Sequence, residues 1–294
     1  NCITEKLDLT ITTSPTNFNS GGINYVVTSP TTVAVSNDFS ASGTVVIPAT
    51  VTTACGSYAV TSIDEGAFAD CSSLISVTIP NSVTSISSGG INYVITSPTT
   101  VAVSNNFGAS GTIVIPETVT IACVSYAVTS IGEGAFADCS ALISVTIPNA
   151  VTSIGNSAFS YCTGLISVTI PNSVTTIGYN AFTYCSSLTS VSIPNSVTNI
   201  ADSTFSGCSG LTSVSIPNSV INIGDSAFND CSALTSITIP NSVSSIGNFA
   251  FISCSGLTSV IIPNSVTSIG IYAFGYCTSL TSVSIADSVT NIGG

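Results

Sequence analysis

Apolar residues return along this chain with two nested periods. The short period is two. Val145 and Ile147 alternate with Ser144 and Thr146, which predicts a short strand with its apolar side turned inward. Pro148 cannot donate to a ladder and ends that strand, and Asn149 suits the turn that follows. Val151 and Ile154 predict a second short extended piece, closed by Gly155. Ala158, Phe159 and Cys162 fall at i, i+1 and i+4, which predicts one helical or 3₁₀ turn. The long period is 23 residues: the frame that opens at Cys139 reopens at Cys162, Cys185, Cys208, Cys231, Cys254 and Cys277. A fixed period in this range is the mark of a solenoid.

One unit cannot bury its apolar side chains alone, whereas stacked units bury them in columns. One predicted column is Phe136, Phe159, Phe182, Phe205, Phe228, Phe251 and Phe274; another is the series of cysteines from Cys139 to Cys277. Neighbouring coils are expected about 4.8 Å apart, the spacing of paired strands. The predicted fold class is mostly β: a solenoid of 23-residue repeats, with short strands and one helical or 3₁₀ turn per coil.

The unit Leu-x-x-Val-x-Ile-Pro-Asn-Ser-Val-x-x-Ile-Gly-x-x-Ala-Phe-x-x-Cys resembles the BspA-like leucine-rich repeat of bacterial surface proteins. The resemblance covers about residues 130–294 and one unit near 63–86. It implies an extracellular protein used for adhesion or cell-surface interaction, and no enzyme.

Upstream, the chain is duplicated. Gly21-Gly22-Ile23-Asn24-Tyr25-Val26 returns as Gly89-Gly90-Ile91-Asn92-Tyr93-Val94, Phe39 as Phe107, Pro48 as Pro116 and Cys55 as Cys123, an offset of 68. Each copy opens with β-rich sequence that resembles the lead-in modules of secreted Bacteroidota-type proteins. The organisation read from this pattern is an N-terminal strand or arm at 1–20, a lead-in module at 21–62, a first coil at 63–88, a second lead-in module at 89–130, and the solenoid at 131–294. Leu7, Leu9 and Ile11 alternate with polar residues and predict a strand, either a cap on the first module or an arm that pairs with another subunit.

The sequence stops within a coil, at Asp287-Ser-Val289-Thr-Asn-Ile292-Gly-Gly, where terminal repeats ordinarily carry a polar cap. Two expectations follow: a truncated chain, or an end covered by the lead-in module of another copy, as residues 89 onward follow Ile86. Cys2, Leu7, Leu9, Ile11, Val289 and Ile292 are the candidate assembly residues.

Charge narrows the function. The chain carries 13 acidic residues against Lys6 alone, has no histidine, and has a net charge of −12. Nucleic acid and anionic membrane surfaces both need basic groups and are excluded as partners. No apolar run is long enough for a membrane-spanning helix. An opening on Asn1-Cys2 and a chain without Met suggest a processed, secreted N-terminus. Eight of the 11 cysteines (Cys71 and Cys139 to Cys277) share one repeat position, which predicts buried free thiols rather than a disulfide framework. Cys2, Cys55 and Cys123 stand outside that series, so an intermolecular bond is open to them.

Chemistry is otherwise sparse. Nucleophilic triads lack a His base. Asp64, Glu65 and Glu133 sit at repeat-equivalent turns and read as surface carboxylates. Zinc would need paired ligands and calcium a compact acidic loop, so no catalytic, metal or cofactor residues are assigned. Two surfaces remain. One is a hydroxyl column, Ser144, Ser167, Ser190, Ser213, Ser236, Ser259 and Ser282, read as a solvated face. The other is the turn, where Tyr161, Tyr184 and Tyr276 share a repeat position and Tyr179, Phe249 and Tyr272 vary nearby. Exposed aromatics of this kind are candidate ligand-binding hot spots. The expected function is a secreted structural protein that assembles end to end with copies of itself. The alternative is a cell-surface adhesin whose repeat face binds host protein or glycan.

Overall fold

The structure is a computed structural model, and it describes residues 17–37, 41–54, 56–69, 71–121 and 124–293. Among these residues every regular element is a strand. The chain divides into two compact units, residues 1–101 with 118–127, and 102–117 with 128–294.

In the first unit the two copies of the lead-in begin alike. The strand Asn17–Ser20 pairs antiparallel with Ile23–Ser29 in the register Asn17↔Val26, Phe18↔Tyr25, Asn19↔Asn24. The strand Ser85–Ser88, which closes the first coil, pairs with Ile91–Ser97 as Ser85↔Val94, Ile86↔Tyr93, Ser87↔Asn92. Each hairpin turns on a glycine pair held at positive φ, Gly21-Gly22 at 62° and 84° and Gly89-Gly90 at 59° and 71°. A side chain at those positions would be strained, and this is why both copies keep Gly-Gly there. Parallel pairing then carries the coil inward. Thr32–Val35 lies beside Gly56–Ile63, and Ser62-Ile63 beside Ser85-Ile86.

In the second unit the registers advance by one repeat. Ser144, Val145 and Thr146 face Ser167, Val168 and Thr169, and Ser153-Ile154 faces Thr176-Ile177. The same pairing recurs to Ile269↔Ile292. Parallel strands follow from the coiling itself, because each turn of the chain returns in the same direction.

The stretch predicted as a helical or 3₁₀ turn is different in detail. It closes by i→i+3 backbone bonds, Ser157 O to Ser160 N at 3.0 Å and Phe159 O to Cys162 N at 3.2 Å. Between them, alternate N–H groups donate to the next coil: Ser157 N to Tyr179 O, Phe159 N to Ala181 O and Tyr161 N to Thr183 O, at 2.7–2.9 Å. No helix forms because half of these donors are committed between coils rather than along the chain.

Leu165, Leu188, Leu211, Leu234 and Leu257 fill the core behind the main strands, with no exposed surface. The phenylalanines stack from Phe136 to Phe274 with ring centroids 5.2–5.5 Å apart and planes within 12° of parallel. Phe274 is half-buried, and the others in this series are buried. The cysteines from Cys139 to Cys277 are buried free thiols, whereas Cys71 is partly exposed. Each thiol has a defined acceptor. Cys162 Sγ donates to Phe136 O at 3.0 Å, and the pattern repeats to Cys277 Sγ on Phe251 O at 3.2 Å. A small apolar group with one weak donor fits a column that offers one carbonyl per coil.

Candidate functional site

Two residues per coil adopt left-handed backbone on the turn face. One column is Gly134, Ser157, Asn180, Ser203, Ser226, Phe249 and Tyr272; the other is Asp138, Tyr161, Tyr184, Gly207, Asp230, Ser253 and Tyr276, with φ between 49° and 72°. Gly, Asn and Asp suit this conformation. Tyrosine and phenylalanine do not, and a bulky residue there is an outlier. Five aromatic residues nevertheless occupy these sites: Tyr161, Tyr184, Phe249, Tyr272 and Tyr276.

Their rings face outward. Tyr161, Tyr184 and Tyr276 are 49%, 45% and 73% exposed. Tyr161 stacks on Tyr184 with centroids 4.9 Å apart and planes 20° from parallel. Phe249 stacks on Tyr272 at 6.1 Å and 18°. The Tyr184 ring then lies over the next coil at Gly207, where an added Cβ would fall 2.5 Å from Cδ1. Glycine at 207 therefore makes room for the ring of the preceding coil. Tyr179, 55% exposed, precedes the left-handed pair of its own coil, and its N–H is held by Asn156 Oδ1 at 3.2 Å. The repeat thus sets two aromatic groups on one face, one around coils 161–184 and one around 249–276.

The remaining candidate residues are dispersed. Cys2, Leu7, Leu9, Ile11, Cys55 and Cys123 lie outside the described residues. Val289 is half-buried, and Ile292 is 59% exposed on the strand Asn291–Ile292. The serine column faces solvent from Ser167 to Ser282, and Ser144, half-buried, donates to Thr112 Oγ1 at 3.0 Å. The described residues contain no group of three or more metal-ligating side chains. Burial pushes the Cys208 and Cys254 thiols up to about 12, so these two stay protonated and unreactive at neutral pH.

Sequence reasoning found the tyrosines but missed the strain beneath them. The signal was present in the same columns, where Gly134, Asn180, Gly207, Asp138 and Asp230 are residues that a left-handed position selects.

The family described as BspA type leucine rich repeat region matches residues 50–112, 113–209 and 201–294, in 6 copies. The chain belongs to the BspA-type leucine-rich repeat family. Among solved structures, this BspA-type chain is similar to a leucine-rich repeat protein from Bacteroides ovatus, at 29% identity and a TM-score of 0.55 over 94% of this chain. It spans 61% of that protein's length. It is also similar to the leucine rich repeat protein of T. pallidum, at 29% identity and a TM-score of 0.59, covering 65% of this chain and 88% of that one. The same fold recurs in a leucine-rich repeat protein from Eubacterium ventriosum at 19% identity and a TM-score of 0.50, over 96% of this chain and 94% of that one. No curated protein matches. The family is one of repeat scaffolds, consistent with a surface or adhesin-like role.

Proposed function

We propose that this chain is the binding part of a secreted, non-enzymatic adhesin at a bacterial cell surface, and that its turn face engages host protein or glycan through Tyr161, Tyr184 and Tyr276. The observation that carries this reading is the placement of exposed aromatic rings on backbone sites that disfavour them. Asn or Gly would relieve the backbone strain at those sites. Local strain kept at an exposed aromatic is the pattern expected of a contact surface. A rigid ring with two rotatable bonds offers a large contact area at low entropic cost. The test is adhesion of the purified chain to host extracellular proteins and glycans, compared with Tyr161→Asn/Tyr184→Asn and Tyr276→Asn. Loss of binding with retained fold is expected; full binding by both variants refutes the reading.

End-to-end assembly with copies of itself is the second reading, favoured by one register. Asn17–Ser20 sits on its hairpin partner as the coil-closing strand Ser85–Ser88 sits on the equivalent one. In the second case the outer edge of the strand also pairs with Ser62-Ile63. By that template, a coil edge carrying Val289 and Ile292 in one copy would add beside Asn17–Ser20 of the next. Negative-stain microscopy decides it: fibres with a repeat of one subunit support assembly, and dispersed single particles at high concentration refute it.

A further inference from the structure

In the first unit, the two glycine-tipped hairpins and the coil between them bound an open cleft of about 870 Å³. Its lining is mixed, with Phe18 and Val26 among mostly polar side chains. Asn17, Asn19 and Asn24 come from one hairpin, Ser87 and Asn92 from the other, and Asn37, Asp64 and Glu65 from the coil and the strand end before it. Several of these groups are already oriented. Asn19 Nδ2 donates to Asn24 Oδ1 at 2.9 Å, Asn24 Nδ2 to Asn37 O at 2.9 Å, and Ser87 Oγ to Asn92 Oδ1 at 2.7 Å. Glu65 Oε2 accepts from Gly90 N at 3.3 Å.

The duplication supplies an internal comparison. From Gly21 to Val35 the two copies differ only at Val27, which is Ile95. At the cleft they diverge: Asn17, Asn19, Asp64 and Ser87 correspond to Ser85, Ser87, Gly132 and Gly155. Asp64 is the telling one. In the second copy an added Cβ at Gly132 would meet Val103 O at 2.7 Å. The first copy carries a whole carboxylate there and keeps the equivalent backbone bond, Asp64 N to Val35 O at 2.9 Å. That carboxylate accepts no hydrogen bond from any described residue, and its surroundings push its pKa up by desolvation. A half-buried, unpartnered carboxylate is costly unless something outside the chain supplies its donors.

We propose that this cleft binds a neutral saccharide. Sugar hydroxyls donate to Asp64 and Glu65 and accept from the asparagine amides, which offer donors and acceptors side by side. The carboxylates repel anions, and the mix of polar groups with Phe18 and Val26 matches the mixed hydroxyl and C–H surface of a sugar. This site is separate from the tyrosine face in the second unit and does not depend on it.

The experiment titrates the full chain with xylohexaose, mannohexaose, maltohexaose and chitohexaose by calorimetry, and with calcium chloride as a separate arm. Asp64→Gly and Asn17→Ser/Asn19→Ser restore residues that the second copy carries on the same scaffold. Asp64→Asn removes only the charge. Circular dichroism checks their fold. Binding of at least one hexasaccharide, weakened tenfold or more by Asp64→Gly and Asn17→Ser/Asn19→Ser but unchanged in Tyr161→Asn/Tyr184→Asn, supports the proposal. No hexasaccharide bound, binding unaffected by the cleft variants, or calcium bound in place of sugar overturns it.

Discussion

Tyr184 and Tyr276 occupy the same repeat position with the same left-handed backbone, φ 57° and 55°, yet they should respond unequally to replacement by asparagine. Asparagine relieves the same backbone strain at both, by about 1 kcal/mol. What is lost differs. Tyr184 is 45% exposed and stacked at 4.9 Å on Tyr161. Hiding roughly half of a ring that buries about 200 Å² stabilises by about 2.5 kcal/mol at 25 cal/mol/Å², and the stack adds about 1 kcal/mol. Tyr276 is 73% exposed, so it hides roughly a quarter of that area, worth about 1.2 kcal/mol. Tyr184→Asn is therefore expected to destabilise by about 2.5 kcal/mol, while Tyr276→Asn leaves stability within about 0.5 kcal/mol of the parent. Urea unfolding followed by circular dichroism reads the difference as a shift in midpoint at constant slope. Equal losses at both positions would refute the reasoning, because the Tyr276 ring would then be a packing element and not a surface held against its backbone preference.

Other consequences follow from the core. Phe205→Ala removes a fully buried ring stacked on both neighbours, and should cost about 3–5 kcal/mol and raise amide hydrogen exchange first in the adjoining coils. The thiols of Cys208 and Cys254 should resist iodoacetamide at pH 8 in the native state and react after denaturation, as read by mass spectrometry. Their folded pKa of about 12 lies above the ordinary value of 9.0, so the folded state holds their protons longer than the unfolded chain. Stability should therefore be intact below about pH 9 and fall as pH rises toward 12. Tyr25 and Tyr93 are fully buried with hydroxyls that meet no partner among the described residues, so Tyr25→Phe and Tyr93→Phe should be neutral or stabilising by about 1 kcal/mol in the same urea assay. A loss of more than 1 kcal/mol would mean that those hydroxyls are satisfied.

Much of the fold was legible because a repeat states the same information several times. Val145, Ile147, Ile154 and Phe159 can each be misread alone, but their return after 23 residues fixes both the coil and its inward side. The turn was read in its local i→i+3 closure but not in its ties to the next coil. The spacing of Ala158, Phe159 and Cys162 fits a helix as well as a coil-to-coil ladder, and only the neighbouring coil decides which donors are spent where. Of the candidate sites, the tyrosine face could be named from the sequence, since Tyr161 and Tyr184 share a position. The cleft could not. Asp64 read as one more surface carboxylate, and its lining converges from segments as distant as Asn17 and Asn92.

The sequence by itself determined the period, the buried columns and the acidic balance of charge, since each depends on composition or on spacing along one chain. Tertiary structure decided which backbone sites are left-handed, which rings meet, and that two hairpins flank an open cleft beside a carboxylate with no partner among the described residues. Those properties arise from hydrogen bonds and contacts between coils, and a residue's own neighbours in sequence do not specify them.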